Sequence, residues 1–162
     1  MNVEVRRLRG ADLDCLLELF ESVAGERVHI ATEPGFDKTR YRRRWQASVG
    51  SKNEPCFVAV DGARVVGELR IFENSEFGPT LGMMVDSAYR RRGVGRKLMQ
   101  AALDWARQHG IRKLSLRVFP HNHAAIALYE QTGFTTIRRL ERDVPRGSGE
   151  AWDSILMEAD LG

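Results

Sequence analysis

Cysteine is scarce in this chain. Cys15 and Cys56 are the only two, and they form no CxxC pair, so no redox or zinc-knuckle motif is present and both read as small buried hydrophobes. Long apolar runs are also missing. None approaches the ~20 residues needed to span a bilayer, and the start Met-Asn-Val-Glu-Val-Arg-Arg lacks the apolar stretch of a signal peptide. The expectation is a cytoplasmic protein with no membrane partner. Lysine is rare too, with 4 Lys against 21 Arg, yet the net charge is only +3. Such a balance permits phosphorylated ligands without demanding nucleic acid. There is no internal repeat, no low-complexity tract and no linker. With 162 residues, 43% of them apolar and 29% charged, the chain reads as one globular domain over residues 1–162.

The order of elements follows from periodicity and punctuation. Residues 3–8 read as a strand. Asp12 stands where it can cap a helix carrying Leu13, Leu16, Leu17, Phe20 and Ala24 at helical spacing, with Gly25 as its stop. A loop with Pro34-Gly35 follows. Asp37 can cap a second helix with Tyr41, Trp45 and Val49 on one side and a solvated face of Arg40, Arg42, Arg43 and Arg44. Cys56–Val60 reads as a buried strand, Asp61-Gly62 as a hairpin turn, and 64–72 as the return strand. After a loop at 73–79 come a strand at Thr80–Val85 and a helix from Val94 to His109. A strand at Lys113–Phe119, a short helix at 122–132 and two final strands at 134–140 and 152–157 complete the chain. The order is βααβββαβαββ. It predicts an α/β fold with a mixed central sheet and helices on both faces.

Five basic residues fall within eight positions, Arg90, Arg91, Arg92, Arg96 and Lys97, in the loop between a strand and an amphipathic helix. A helix N-terminus exposes unpaired N–H groups and a partial positive charge. Gly93 and Gly95 would let backbone approach a ligand closely, and guanidinium groups add forked donors. The composition suits a phosphate or pyrophosphate site. By itself the loop reads equally as a solvated arginine face. Arg96-Lys97 after Gly95 excludes a Walker A motif, and Leu98 occupies the last glycine position of a dinucleotide fingerprint.

Arg90-Arg91-Arg92-Gly93-Val94-Gly95 resembles the (Q/R)xxGx(G/A) loop of the GNAT acetyltransferases. Asn122 through Phe134, with Ala125, Leu128, Tyr129 and Gly133 between them, is similar to the family's NxxAxxLYxxxGF segment at every fixed position. The two segments stand in the family's order, and the resemblance extends over about residues 3 to 157. It departs at Ser87, where many members carry proline.

The resemblance implies an N-acetyltransferase that moves acetyl from acetyl-CoA to a primary amine by direct attack, with no metal. Arg90, Arg91, Arg92, Gly93, Val94, Gly95 and Arg96 would hold the pyrophosphate. The backbone of Met83, Met84 and Val85 would hold the peptide-like pantetheine arm as an added strand, with Gly82 supplying a splay. A backbone N–H near Val85 would serve the oxyanion, Tyr129 would be the acid that protonates the leaving thiolate, and Asn122 would bond the cofactor arm as well as cap its helix. A small-molecule amine such as an amino acid is the preferred acceptor, with protein amines or a non-catalytic coenzyme-binding module as alternatives. Members of this family often form homodimers.

The general base stays open. Arg117 occupies the position of a glutamate found in protein N-terminal acetylating relatives; Glu68, Glu73, Glu76 and Asp86 are candidates by their place in the chain, and a solvent-linked water relay is an equal alternative. Glu33 could meet an ammonium group. His121 and His123 have no third ligand at metal spacing.

Overall fold

The computed structural model describes residues 2–162, which run β1 (Val3–Arg7), α1 (Leu13–Glu26), α2 (Lys38–Ser48), β2 (Cys56–Asp61), β3 (Arg64–Asn74), β4 (Gly78–Val85), α3 (Val94–Gln108), β5 (Lys113–Val118), α4 (His123–Gln131), β6 (Phe134–Pro145) and β7 (Ala151–Asp160). This is the order read from the sequence. The seven strands form one sheet in the order β1-β2-β3-β4-β5-β7-β6. Every neighbouring pair is antiparallel except β4 with β5, so the sheet is mixed.

Alternation along the strands sends apolar residues to two cores, one on each face. On one face α3 packs Val94, Leu98, Met99, Ala102 and Ala106 against Ala59, Leu69, Ile71, Leu81 and Leu116. On the other α1 and α2 bring Leu16, Phe20, Val23 and Trp45 against Val58, Val65 and Met84. Phe20 sits edge-on to both Phe36 and Trp45, at 4.8 and 4.9 Å, a geometry that ring quadrupoles favour. A bulge between Ala59 and Val60 resets the β2–β3 register. No helix among the described residues is long and apolar enough to cross a membrane.

Several boundaries differ from the sequence reading, for local reasons. Asp12 does not cap α1. Its carboxylate instead receives two hydrogen bonds from Arg6, at 2.7 and 2.9 Å, and one from the Arg9 N–H at 2.8 Å. Those donors, Arg6 above all, hold its pKa below the usual carboxylate value, although burial pushes the other way. Gly25 lies inside α1, and the helix ends at Arg27, which takes the left-handed conformation at φ 64°. The β3–β4 connection is only residues 75–77, because the two strands pair out to Asn74↔Gly78. The last hairpin is longer than its apolar pattern suggested. β6 stays in register with β7 as far as Pro145↔Ala151, through two irregularities.

Candidate active site

The parallel contact between β4 and β5 consists of one bridge, Thr80↔Ser115. Beyond it the strands part. Antiparallel ladders alternate between residues that bond the partner strand and residues that face away from it. The Asp86 N–H bonds the Val66 carbonyl at 2.8 Å in the β3 register. Counting back by two, the backbone of Met84 and Gly82 faces β3, whereas that of Val85, Met83 and Leu81 faces the gap. The Val85 carbonyl is already held by Arg90 Nε at 3.0 Å. The Leu81 carbonyl, both polar groups of Met83 and the Val85 N–H remain as an open strand edge. Met84 offers the gap no backbone; its side chain is part of the cavity wall and of the α1–α2 core.

A cavity of about 1200 Å³ follows this gap. That exceeds the ~300–1,000 Å³ of sites for drug-sized ligands. It is lined by Arg91, Gly93 and Gly95 of the glycine loop, by Ile30, Ala31 and Thr32 of the α1–α2 loop, and by Asn122 and Tyr129.

The loop's parts have separate duties. Gly93 precedes α3 in the left-handed conformation, φ 81°, which glycine adopts without steric cost. No side chain caps the first turn of α3, so its N–H groups stay available to an anion. Gly95 is a packing glycine. A Cβ there would stand 2.9 Å from Leu128 Cδ2 and 3.5 Å from Met83 Cε, so the residue lets α3 touch α4 and the strand edge. Alanine gains ~1 kcal/mol of helix propensity over glycine, which offsets moving Leu128, and Gly95→Ala is expected to be near neutral. Gly95→Val adds atoms no single rotamer clears and should cost about 1–3 kcal/mol. Urea midpoints of the two variants check this.

The arginines of the loop are not equivalent. Arg90 makes two hydrogen bonds to Glu26, at 2.7 and 2.8 Å, and lies 3.0 Å from His29 Nε2. It ties the loop to the end of α1, and its bonds hold the Glu26 carboxyl below its ordinary pKa. Burial, then the charge of Arg90, lowers the His29 pKa. Arg92 lies over the Tyr89 ring at 5.9 Å. Arg96 donates to Gln131 of α4. Arg91, at φ 62°, reaches the cavity.

Asn122 caps α4 by accepting the Ala125 N–H at 3.3 Å, which leaves its amide N–H₂ for other partners. Tyr129 is 6% exposed. Among the described residues its hydroxyl has no hydrogen-bond partner, and burial pushes its pKa up to about 12.

The four carboxylates considered as bases end in different places. Asp86 is held by Arg64 at 2.8 Å and caps the turn at Ala88. Glu76 is exposed and 3.9 Å from Arg138. Glu73 stands at the cavity rim. Glu68 is buried beside the cavity and pairs in register with Met84, and burial pushes its carboxyl up to about 7 despite the Arg70 charge. Glu33 does not greet an ammonium group: it accepts the Gly147 N–H at 2.6 Å and pairs with Arg146 at 3.5 Å. His121 donates from Nε2 to the Val28 carbonyl at 2.7 Å.

Sequence reasoning missed Arg146. Its side chain is 2% exposed, lies 4.1 Å over Trp152, and donates to the carbonyls of Arg27 and Ala31 at 2.9 and 3.1 Å. It fastens the α1–α2 loop to the β6–β7 turn. Arg70 was missed as well, although a Glu-Leu-Arg alternation inside a buried strand was its visible signal.

These features can be set against known proteins. The model of the Acetyltransferase (GNAT) family matches residues 18–134. The chain belongs to the GNAT family. Like its family, it is an acetyl-CoA-dependent N-acetyltransferase. The L-methionine sulfoximine/L-methionine sulfone acetyltransferase of Pseudomonas aeruginosa is 27% identical to this GNAT chain over 167 residues, covering 99% of the chain and 96% of the relative. The N-alpha-acetyltransferase RimI of Mycobacterium tuberculosis is 37% identical over 114 residues, covering 70% and 66%. A phosphinothricin acetyltransferase of Sinorhizobium meliloti, solved in complex with acetyl-CoA, shares the fold at a TM-score of 0.87. It is 19% identical, and the match covers 100% of this chain and 90% of that one.

Proposed function

We propose that this GNAT enzyme transfers the acetyl group of acetyl-CoA to the primary amine of a small molecule, by direct attack while both substrates are bound. The observation that carries the reading is the continuity of the cavity. One space joins the glycine loop, the open edge of β4, Tyr129 and the α1–α2 loop. Neither cysteine lines it, which favours direct attack over a cysteine-bound acetyl intermediate.

The residues fit the cosubstrate. The unspent N–H groups at the start of α3 and the Arg91 guanidinium suit a diphosphate. The unpaired groups of Leu81, Met83 and Val85 suit two amides of a pantetheine arm laid along the edge. Val85 adjoins the glycine loop, where Arg90 holds its carbonyl, so an arm laid from the loop along the edge brings the thioester beside the Met83 N–H, a donor that stabilises the charge that builds on the carbonyl oxygen. The neutral amine nitrogen forms a bond to the acetyl carbon, the carbon–sulfur bond breaks, and Tyr129 gives its proton to the departing sulfur; the acylated nitrogen sheds a proton to solvent, and solvent returns one to the Tyr129 phenolate. Burial raises the pKa of phenols and thiols alike, so the enclosure that lifts Tyr129 also lifts its acceptor and preserves the match.

The small-amine acceptor is supported by the near full-length relative that acts on L-methionine sulfoximine and sulfone. The α1–α2 loop, which lines the cavity and is fastened down by Arg146, adds support, because a fixed wall there suits a short acceptor. The RimI likeness is the observation behind the second reading, a protein N-terminal acceptor. A panel of amino acids, simple amines, polyamines and short peptides, assayed for free thiol release from acetyl-CoA, separates the two. Turnover with small amines is expected; turnover with peptides alone would select the second reading.

A further inference from the structure

The arginines around the cavity differ in one respect. Arg90 is bound by Glu26, Arg96 by Gln131, and Arg117 by Asp143 at 3.0 Å. Arg70 and Arg44 also line the cavity, and among the described residues neither makes a hydrogen bond or ion pair to a carboxylate. Arg70 Nε is buried without any partner. The two side chains instead rest on rings, Arg70 over Phe72 at 4.7 Å and Arg44 over Tyr41 at 4.8 Å. Burial and the neighbouring Arg70 charge both lower the pKa of Arg44. Glu68 sits two residues back on β3 and feels both charges, but among the described residues neither it nor the rim carboxylates Glu54 and Glu73 form an ion pair with Arg70 or Arg44. Arg70 is partly buried and Arg44 exposed; their like charges repel across the cavity wall, and the buried unpaired donor of Arg70 is costly. An anion between them relieves both.

We propose that Arg70 and Arg44 form a carboxylate-binding subsite for the acceptor, so that the amine acetylated is that of a free amino acid. This rests on the proposed transfer to a small amine and specifies its acceptor. The register supports it. Arg70 lies opposite Gly82 and Glu68 opposite Met84, and all four side-chain positions share the α1–α2 face. Gly82, opposite the anchor, is followed directly by Met83, so the anchor is offset by one residue, about 3 Å along the strand, from the edge donor beside the thioester. Amine and carboxylate must lie a few bonds apart, as they do in an α-amino acid. A polyamine brings a second cation to this place, and a peptide N-terminus brings a neutral amide. Neither brings the anion that would balance the Arg70 charge.

The test compares amino acids with their own carboxamides in the thiol-release assay, using wild type, Arg70→Gln and Arg70→Lys. A charge-assisted, forked contact gives roughly 10–100-fold. Wild type should prefer the acid by about 30-fold in kcat/KM, mostly through KM. The preference should shrink to near one in Arg70→Gln and return in part in Arg70→Lys. Calorimetry with an N-acetylamino acid in the presence of coenzyme A should show binding by wild type and loss in Arg70→Gln, with coenzyme A affinity retained in both. Equal use of acid and carboxamide by wild type, or an acid preference that survives in Arg70→Gln, overturns the subsite and leaves small-amine transfer standing. Acetylation of peptides alone, or of no amine, overturns that transfer and the subsite with it.

Discussion

Replacing Tyr129 by phenylalanine is expected to lower turnover by about 10²- to 10⁴-fold, the range for removing a positioned general acid. The side chain is 6% exposed, lines the cavity and has a hydroxyl without a partner among the described residues. Its apolar body meets Phe134 at 6.1 Å between ring centres, and phenylalanine preserves that contact. Removing an oxygen that bonds nothing leaves no orphaned donor or acceptor. The melting temperature and coenzyme A affinity should therefore stay near wild type while the rate falls. Because the pKa near 12 keeps the phenol protonated, activity should show no loss from its ionisation below about pH 10. Unchanged turnover in Tyr129→Phe would remove the residue from the chemistry.

Stability should fall as pH rises through neutrality, and Glu68 should be the main cause. In the unfolded chain its pKa is near 4.5; in the fold, burial pushes it to about 7. Between these values the folded state binds more protons than the unfolded state. The contribution is therefore full below about pH 4.5 and is lost as pH rises through 7. A shift of this size corresponds to about 3 kcal/mol. The groups around it come from three elements: Arg70 on β3, Arg44 and Trp45 on α2, and Cys56 on β2. Burial raises the Cys56 thiol far above this window. His29, lowered from its ordinary value, contributes with the opposite sign, so the comparison must be with a variant. Glu68→Gln keeps the shape and cannot ionise. It should match wild type near pH 4.5 and exceed it by about 3 kcal/mol at pH 8 in urea denaturation. Parallel pH profiles for the two proteins would contradict the assignment.

What the sequence disclosed was whatever is encoded locally. The element order came from periodicity and glycine punctuation, and the two motif segments sit beside one cavity because each carries its own turn chemistry. Gly133 ends α4 at φ 103°, and Asn122 begins it. Features that depend on distant partners stayed hidden. Nothing near Arg90 announces that Glu26, 64 positions earlier, occupies it. Gly95 looked like a glycine for ligand approach until Leu128 of α4 was found against it. Asp12 had the right type and place for a helix cap, but a bidentate arginine on β1 competes for its oxygens. The separation of β4 from β5 is a property of the sheet, and only Gly82 hinted at it.

Two sets of cavity residues divide the work. The β4–α3 loop and open edge suit a long anionic cosubstrate, and the α1–α2 face with Arg70 suits a short acceptor. All of this depends on the space between β4 and β5 being a coenzyme site. Isothermal titration of the protein with coenzyme A tests that directly, and a saturable exothermic isotherm with one site per chain is the expected result. A flat titration would contradict it.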